Sequence, residues 1–344
     1  MNKKALIAMS GGVDSSVCAY LAKEKGYECI GATMRLCEKD FLSTDASDAA
    51  RVCDMLSIEH RVFDYSDKFK NCVIDPFIKA YEDGLTPNPC VLCNRHLKFG
   101  ALFEAARTLG CDTIVTGHYA RICKQDGEIS LLKATDVSKD QSYVLYVLNR
   151  DMLKHIYLPL GEYTKAEARQ IALREGFVTA RKSDSQDICF VPDGDYAKVI
   201  SDYSGKTYPE GSFVDEDGNV LGTHKGIICY TVGQRKGLGL SLKQPMYVKE
   251  KRTDTNEVVL CTNDNLFSKE LIASDFNWLI DVPDKEIKAK AKIRYNQSEQ
   301  DAVLEEIDDG VVKVTFTQPQ RAIAKGQAVV AYIGDRVIGG GTIK

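Results

Sequence analysis

The stretch Ala8–Ser16, AMSGGVDSS, indicates how the first part of the chain folds. It follows an apolar run, Ala5–Met9, typical of a short buried strand, and it precedes an apolar segment typical of a helix. Its two glycines allow a ligand to approach the backbone, and N–H groups at a helix start favour an anion. Asp14 would repel phosphate unless Mg²⁺ lay between them, so the stretch predicts a loop that binds pyrophosphate with a metal. Hydroxyl donors are expected from Ser10, Ser15 and Ser16.

Composition limits the class of protein. A chain of 344 residues predicts two or three domains, and a formal net charge of −4 means that any RNA-binding surface must be a local patch. No apolar run approaches the length of a membrane span or of a signal peptide, so we expect a cytoplasmic protein with no membrane partner. In that reducing compartment, the twelve cysteines are not expected to form a disulfide framework.

Strands and helices alternate up to about residue 150, which predicts a parallel sheet with helices on both faces. The predicted strands are Ala5–Met9, Cys29–Met34, His60–Phe63 and Thr113–Thr116, and the predicted helices are Ser15–Lys25, Ser43–Leu56 and Leu97–Leu109. Ligands of such sheets bind beyond the carboxyl ends of the strands. A nucleotide on the glycine loop would therefore meet Met34 and Gly117, although Met34 could equally be a core residue.

The pattern changes in the second half of the chain. Thr164–Glu167 is a capping box for a helix that ends at Gly176, and helical periodicity stops after about residue 205. A small β unit is predicted from the runs Ser212–Val214, Val220–Gly222, Ile227–Val232, Met246–Val248 and Val258–Cys261. A small barrel is predicted from the runs Ile287–Tyr295, Ala302–Ile307, Val311–Phe316, Ala328–Ile333 and Val337–Ile343.

One barrel strand carries a row of positive charge. Its cations are Lys288, Lys290, Lys292 and Arg294, and they alternate with apolar residues. Residues two apart share a face of a strand, so one face is predicted to be positive and the other to be core. The pattern itself favours a solvated edge strand protected from aggregation, and a surface that follows an RNA backbone is the alternative.

Two cysteines lie in Thr86–Arg95, TPNPCVLCNR, which is predicted to be a loop because its prolines oppose a helix. A helix that starts near Asn94 would favour the Cys93 thiolate, with Arg95 close by. Zinc would need a second ligand pair, and a thioredoxin-type dithiol has a different context. Alternatively Cys90, Cys93 and Cys189, the last at the end of a polar loop over 183–190, meet at the nucleotide crevice for sulfur transfer or an iron–sulfur cluster.

The whole chain resembles the tRNA-specific 2-thiouridylases of the MnmA/TrmU family, which are PP-loop ATP pyrophosphatases. The matching motifs are AMSGGVDSS, TPNPCVLCN at 86–94, TGHYA at 116–120, KDQSY at 139–143, DSQDICF at 184–190 and GQRKGLG at 233–239. The resemblance implies an α/β fold with a Rossmann-like PP-loop domain (adenine nucleotide alpha hydrolase type) at 1–204. It further implies a small central β-rich, tRNA-contacting domain at 205–268 and a C-terminal β-barrel at 269–344.

The resemblance also implies the reaction. ATP would adenylate the C2 oxygen of the wobble uridine in tRNA, and sulfur would replace that oxygen to give 2-thiouridine, AMP and pyrophosphate. The implied substrates are tRNAs of the Glu, Gln and Lys type, and the implied sulfur donor is a cysteine desulfurase or a sulfur-relay protein. Cys189 would carry the persulfide and attack C2, and Cys93 would release the sulfur or close a disulfide bond with Cys189.

The binding residues follow from the same motifs. Those implied to hold ATP are Ala8, Met9, Ser10, Gly11, Gly12, Val13, Asp14, Ser15, Met34 and Gly117, with Asp14 near Mg²⁺. Those implied to hold the flipped target base are Asn88, Pro89 and Cys90. Those implied to contact tRNA are His118, Lys139, Asp140, Gln141, Arg294, Tyr295 and Gln327, which moves the basic strand to its functional interpretation.

The chain departs from the family pattern at two positions. Many members have Asp where this chain has Cys90, and that Asp is a candidate acid–base group. Cys90, Cys93 and Cys189 could instead hold a 4Fe–4S cluster with one open iron that binds sulfide, although the persulfide mechanism is the preferred hypothesis. Lys325 stands where the family usually has Pro before Gly326-Gln327.

Two rival functions fit the sequence less well. Another PP-loop enzyme, such as an amidotransferase-type synthetase or argininosuccinate synthase, would need neither paired cysteines nor a basic C-terminal barrel. An RNA- or metal-binding module without catalysis would not need Asp14 beside the SGG turn.

Overall fold

The computed structural model describes residues 3–37, 44–125, 127–182, 188–191, 193–282 and 286–344. The chain divides into two compact units. The first unit is formed by residues 1–73, 90–186 and 333–338, and the second unit by residues 74–89, 187–332 and 339–344. None of the helices in the described residues is both long and apolar enough to cross a membrane.

The helices are α1 (Val13–Glu24), α2 (Thr44–Met55), α3 (Ser66–Phe69), α4 (Asp75–Glu82), α5 (Pro89–Cys93), α6 (Leu102–Thr108), α7 (Arg150–Leu153), α8 (Lys165–Arg174) and α9 (Tyr196–Ser204). Two further segments are π-helical, Lys70–Ile74 and Asn94–Ala101. Short 3₁₀ helices lie at Val137–Lys139, Ser142–Val144, Pro159–Glu162, Ile227–Cys229 and Asn263–Leu266.

The strands are β1 (Lys4–Ala8), β2 (Glu28–Arg35), β3 (Glu59–Asp64), β4 (Thr113–Val115), β5 (Ala120–Gln125), β6 (Glu128–Lys133), β7 (Ile156–Tyr157), β8 (Gly211–Val214), β9 (Val220–His224), β10 (Tyr247–Arg252), β11 (Glu257–Cys261), β12 (Phe267–Trp278), β13 (Ile287–Lys292), β14 (Gln300–Asp308), β15 (Val311–Arg321), β16 (Ala328–Ile333) and β17 (Arg336–Ile343).

A five-stranded parallel sheet forms the centre of the first unit, as predicted. Its order is β3-β2-β1-β4-β7, and each neighbouring pair is parallel. Ala5, Leu6 and Ile7 of β1 are fully buried because the central strand of such a sheet is covered on both faces. The carboxyl ends of β1, β2 and β4 therefore lie at one edge, where the residues predicted to bind the nucleotide follow them.

Helix boundaries in this unit follow from local side chains. Thr164 and Glu167 make both hydrogen bonds of the predicted capping box at the start of α8. After α1, Gly26 has a φ of +85°, a left-handed conformation that favours glycine and ends the helix. The sequence predicted these boundaries because caps and left-handed glycines act locally.

The second unit contains a four-stranded sheet of order β10-β11-β8-β9. The predicted strand Ile227–Val232 is wrong, because Ile227–Cys229 forms a 3₁₀ helix instead. Gly226, at a φ of +115°, donates its N–H to His224 Nδ1 and turns the chain just before this point. The buried side chains of Ile227 and Ile228 then supply an apolar run without a strand.

The C-terminal strands of the second unit close into a six-stranded barrel. Its order is β12-β15-β14-β13-β16-β17, and β12 pairs with β17 to complete the circle. Sequence analysis missed β12, whose alternation is interrupted where its pairing with β17 shifts register between Ser274 and Asn277. Asp275 has a φ of +49° at that irregularity. The fold class, a Rossmann-like parallel sheet with a central β unit and a β-barrel, is confirmed.

The core of the parallel sheet offers a stability test. We expect Leu6→Ala to lower the free energy of unfolding by about 2–5 kcal/mol, because Leu6 is fully buried on β1 and the truncation leaves a cavity. Leu173→Ala on α8 is the matched control, since Leu173 is 51% exposed and its loss should cost less than about 1 kcal/mol. Urea unfolding followed by circular dichroism measures both, and equal midpoints for the two variants would contradict the assignment of the core.

Candidate active site

The glycine-rich turn after β1 is braced by its own serines. Gly11 has a φ of +71°, and Gly12 directly precedes α1. The Ser15 and Ser16 hydroxyls donate to the Gly12 carbonyl oxygen at 3.1 and 2.8 Å, and the Ser10 N–H donates to Ser15 Oγ at 3.2 Å. Ser15 and Ser16 are both buried and their hydroxyls hold the turn, and the predicted contact of these hydroxyls with a ligand stays a prediction. Ser10 is exposed.

Sequence analysis missed two lysines that contact this turn. Lys165 Nζ donates to both carboxylate oxygens of Asp14, at 2.7 and 2.8 Å. Lys182 Nζ donates to the Gly11 carbonyl oxygen at 3.1 Å and lies 2.7 Å from Asp48 Oδ2. The lysines are 151 and 171 residues away from their partners in the turn, so no local pattern could have identified them. They give the turn two cations next to its N–H groups.

The Asp14 carboxylate is the predicted neighbour of Mg²⁺. Besides Lys165, it accepts a hydrogen bond from Tyr119 Oη at 3.0 Å. Carboxylate oxygens are ligands that Mg²⁺ prefers, so the chemistry of Asp14 fits the ion. The Lys165 ammonium balances the charge of the carboxylate in this conformation.

Gly117 lies directly against the turn, as predicted. A Cβ atom on Gly117 would lie 3.1 Å from Asp14 Cβ and 3.4 Å from the Ser15 backbone nitrogen. A larger residue would therefore push on the glycine-rich turn. This contact brings the chain that follows β4 to the chain that follows β1 at the carboxyl edge of the sheet.

The other residues predicted to hold ATP differ in burial. Met9 and Val13 are buried, and the Met9 N–H donates to the Ala32 carbonyl oxygen at 2.8 Å. Ala8 and Met34 are half-buried at the ends of β1 and β2. Met34 is therefore not a core residue, and its contact with a nucleotide stays a prediction.

Cys90 and Cys93 lie on a helix where a loop was predicted. α5 begins at Pro89 and leads directly into the π-helix Asn94–Ala101. The prediction was wrong because Pro89 occupies the first position of the helix, where a missing N–H costs no internal hydrogen bond. The Asn94 side chain donates to the Val144 carbonyl oxygen at 2.9 Å and fixes the junction of the two helices.

Burial dominates the acidity of these two thiols. It raises the pKa of Cys93, which is 8% exposed, and desolvation also raises the pKa of Cys90, although that residue is exposed. The positive charge of Lys98 opposes both shifts and favours the thiolates. Sequence analysis expected a favoured Cys93 thiolate with Arg95 as the cation. This was wrong because Cys93 is buried and Lys98 is the cation that acts on it.

Lys98 lies on the π-helix that follows α5, and its side chain reaches the chain that follows β4 at the carboxyl edge of the parallel sheet. Its Nζ lies 3.4 Å from His118 Nε2, and His118 Nδ1 lies 2.8 Å from Thr116 Oγ1. Burial, and after it the charge of Lys98, lower the pKa of His118 well below its usual value. A neutral His118 that accepts from Lys98 at Nε2 carries its proton on Nδ1 and donates it to Thr116. His118 is 6% exposed, and its predicted tRNA contact stays a prediction.

Cys189 belongs to the second unit and is exposed in a turn. The preceding part of its motif, residues 183–187, lies outside the described residues. Within the described ranges, no group of three or more His, Cys, Asp or Glu side chains could hold a metal ion. The three-cysteine cluster on Cys90, Cys93 and Cys189 and the persulfide mechanism both stay predictions. All twelve cysteines lie in the described ranges as free thiols.

Asp140 and Gln141 of the KDQSY motif make hydrogen bonds within the first unit. Asp140 is buried and accepts from the Ala134 N–H at 3.0 Å and from the Ser142 hydroxyl at 2.8 Å. Gln141 Oε1 accepts from the Tyr119 N–H at 3.0 Å. Asp140 and Gln141 thus brace the loop next to the nucleotide edge. The predicted tRNA contacts of Lys139, Asp140 and Gln141 stay predictions.

The predicted positive face of β13 is only partly present. Lys288 and Lys290 are exposed, but Lys292 is buried at 7% exposure, with its ammonium 5.6 Å from the centre of the Tyr332 ring. The prediction of a continuous charged row was wrong from Lys292 onwards, because the strand ends there and its last lysine packs on an aromatic side chain.

Arg294, two residues after Lys292, also turns its side chain to hydrogen bonds within the protein. Its Nη2 donates to the carbonyl oxygens of Val232 and Ala322 at 3.1 and 2.9 Å. Val232 directly precedes the GQRKGLG motif, so Arg294 fixes the start of that basic loop. Tyr295 is 38% exposed, and a contact of Arg294 or Tyr295 with tRNA stays a prediction.

Three family models match successive parts of the chain. They are the tRNA methyl transferase HUP domain at residues 3–193, the tRNA methyl transferase PRC-barrel domain at 197–262 and the aminomethyltransferase beta-barrel domain at 268–343. The chain is 49% identical over 353 residues to the tRNA-specific 2-thiouridylase MnmA of Clostridium botulinum (strain Eklund 17B / Type B), which covers 99% of this chain and 98% of that protein. It is 48% identical over 357 residues to the MnmA of Carboxydothermus hydrogenoformans, again covering 99% of this chain and 98% of that protein.

The position of Lys98 predicts a change in thiol reactivity. We expect Lys98→Gln to raise the pKa of Cys93 further, because a nearby positive charge no longer favours the thiolate. Alkylation of Cys93 below that pKa should then slow on the order of tenfold, and Lys98→Arg should restore part of the rate. Iodoacetamide labelling across a pH series, with the modified peptide identified by mass spectrometry, measures this rate.

The matched control is Lys68→Gln, which removes the same charge from an exposed position on α3. It should leave Cys93 alkylation unchanged. Equal slowing by the two variants would show that general electrostatics, and not the placement of Lys98, set the reactivity.

Proposed function

Because the chain belongs to the tRNA-specific 2-thiouridylase family, and is thus an ATP-binding sulfurtransferase that modifies tRNA, we propose how its residues divide that reaction. ATP adenylates the C2 oxygen of the wobble uridine, and sulfur then replaces the activated oxygen. The observation that carries this proposal is the glycine-rich turn closed by Gly117 at the carboxyl edge of the parallel sheet. Adenylation is needed because the C2 oxygen is a poor leaving group until it bears AMP.

The first step uses the turn at 10–16 and its two lysines. The N–H groups of the turn bind the phosphates, and Lys165 and Lys182 add positive charge at the same edge. Asp14 would hold Mg²⁺, which supplies further neutralisation of the departing pyrophosphate. The uridine oxygen attacks the α-phosphorus, and the bond between the α- and β-phosphates breaks.

The second step uses two thiols. The terminal sulfur of a persulfide on Cys189 attacks C2, and AMP leaves with the former uridine oxygen. The Cys93 thiolate then attacks Cys189 Sγ, which breaks the bond between the two sulfurs and leaves one sulfur on C2. The product disulfide joins Cys93 to Cys189, and a dithiol reductant restores both thiols. Alternatively, the Cys93 thiolate attacks Cys189 Sγ first, which forms the same disulfide and releases hydrosulfide, and the hydrosulfide then attacks C2 and displaces AMP.

The proposal assigns the target uridine to the residues at the start of α5. Asn88, Pro89 and Cys90 hold the uridine after it leaves the anticodon stack, since chemistry at C2 requires an unstacked base. The substrates are tRNAs of the Glu, Gln and Lys type, and a cysteine desulfurase or sulfur-relay protein delivers the persulfide. The proposed division into domains at 1–204, 205–268 and 269–344 is supported by the ranges of the three family models.

Asp14→Ala tests the nucleotide assignment. We expect pyrophosphate release to fall by about 100-fold or more, because the carboxylate next to the phosphates is lost, while the Kd for tRNA is unchanged. The control is Asp151→Ala, which removes a carboxylate that is 90% exposed on α7. A coupled pyrophosphate assay and filter binding measure the two quantities, and normal turnover in Asp14→Ala would rule out the assigned site.

A single-turnover assay tests the sulfur chemistry. Iron-free protein prepared without oxygen receives Mg²⁺, ATP, unmodified glutamate tRNA and a persulfide donor, and digested tRNA is analysed for 2-thiouridine by mass spectrometry. We expect product from the wild type and from Cys90→Ser, and none from Cys189→Ser or Cys93→Ser. Product that forms only after iron and sulfide are restored would instead establish the cluster mechanism.

A further inference from the structure

The backbone before the proposed base-binding residues Asn88–Cys90 is held by the central sheet. Leu85 lies in the second unit, after α4, and its N–H donates to the Ala80 carbonyl oxygen at 2.8 Å. Its own carbonyl oxygen accepts from Lys251 Nζ at 3.2 Å. Lys251 belongs to β10 and is 166 residues away in the sequence. Both backbone polar groups of Leu85 are therefore bonded within the second unit.

The next two residues are held by the barrel of the same unit. The Thr86 N–H donates to the Lys325 carbonyl oxygen at 2.8 Å. The Gln327 side-chain amide, Nε2, donates to the carbonyl oxygens of Thr86 and Pro87 at 3.0 and 3.4 Å. Proline has no N–H, so every backbone polar group from Leu85 to Pro87 has a partner.

Gly326 allows this close approach of two backbones. Its φ is +88°, and a Cβ atom there would lie 2.9 Å from Leu85 Cβ and 3.1 Å from the Thr86 nitrogen. Gly326 and Gln327 are fixed to β17 of the barrel, since the Gly326 N–H donates to the Ile343 carbonyl oxygen and the Ile343 N–H donates to the Gln327 carbonyl oxygen, both at 2.8 Å. Gln327 thus reaches the segment from a rigid support.

Lys251 is equally well supported. Its ammonium lies 5.2 Å from the centre of the Tyr81 ring, and Tyr81 stacks on Tyr196 with ring centres 4.9 Å apart. Burial lowers the pKa of Lys251 to about 8. The partly buried Lys251 ammonium donates to the Leu85 carbonyl oxygen, and this hydrogen bond offsets part of its desolvation while it holds Leu85.

We propose that Gln327 is a positioning residue, which holds Leu85–Pro87 through its side-chain amide and thereby places Asn88, Pro89 and Cys90 for the target uridine. We call Lys251, Lys325, Gly326 and Gln327 the backbone clamp. The inference rests on the proposed role of Asn88–Cys90, and it gives Gln327 a role that does not depend on the predicted direct contact with tRNA. Through the clamp, the barrel and the central sheet hold the backbone of Leu85–Pro87, which leads into α5.

The clamp also explains why Lys325 is tolerated where the family usually has proline. Lys325 contributes only its backbone carbonyl oxygen to Thr86, and any residue supplies that group. The side chain at position 325 is therefore not part of the clamp, whereas the glycine at 326 and the amide at 327 are.

Gln327→Met tests the clamp, because methionine has a similar length and no N–H donor. In the enzyme without tRNA, we expect deuterium exchange of a peptide that contains Leu85, Thr86 and Asn88 to accelerate on the order of tenfold. Single-turnover thiolation should slow by a similar factor, while the Kd for tRNA should change less than about twofold. Gln318→Met, at an exposed position on β15, is the matched control and should alter none of these quantities.

The outcomes separate the clamp from its alternatives. Unchanged exchange together with a weaker Kd would overturn the proposal and make Gln327 a tRNA contact. Faster exchange with normal thiolation would overturn the positioning role of Gln327 and leave the proposed function of Asn88–Cys90 standing. If Gln327→Met does not fold, Gly326→Ala is the second variant, since its Cβ would press on Leu85 and Thr86 and should accelerate exchange at the same peptide.

Discussion

The contact between Gly117 and Asp14 is the constraint on which the catalytic unit depends. The chain after β1 and the chain after β4 converge because the two strands are parallel neighbours, and a Cβ atom on Gly117 would lie 3.1 Å from Asp14 Cβ, so a larger residue would press on the turn. Asp14 at this junction also receives Lys165 and Tyr119. The nucleotide edge is therefore a charged, hydrogen-bonded junction in which the position of each part limits the others.

Charge links this junction with the sulfur chemistry. His118 follows Gly117 directly, and its buried, neutral ring accepts from Lys98, which acts on the thiols of Cys90 and Cys93. Burial raises the pKa of a thiol, and a thiolate is the nucleophile that sulfur transfer requires. The positive charge of Lys98 opposes part of this rise in the pKa of the two thiols. The residue thus connects the strand end that meets the nucleotide loop to the helix that carries the cysteines.

Two side chains of the second unit that the motifs assign to RNA make hydrogen bonds within that unit. The Arg294 guanidinium donates to the carbonyl oxygens of Val232 and Ala322, and the Gln327 side-chain amide donates to those of Thr86 and Pro87. Polar side chains that a motif assigns to RNA can thus be occupied in holding loops. In such a protein, a substitution that weakens activity does not by itself identify a contact with the nucleic acid.

The sequence by itself determined the parallel sheet, the glycine-rich turn, the capping box at Thr164 and the presence of a barrel, because periodicity, caps and left-handed glycines act over a few residues. It also placed Gly117 at the turn, since parallel strand ends must meet. It failed where partners are distant in the chain or where burial outweighs local pattern. Pro89 begins a helix and Lys292 is buried. Burial raises the pKa of Cys93 and the charge of Lys98 opposes that rise. Only the tertiary structure decided that Lys165 meets Asp14 and that Gln327 meets Thr86, because those contacts join residues 151 and 241 positions apart.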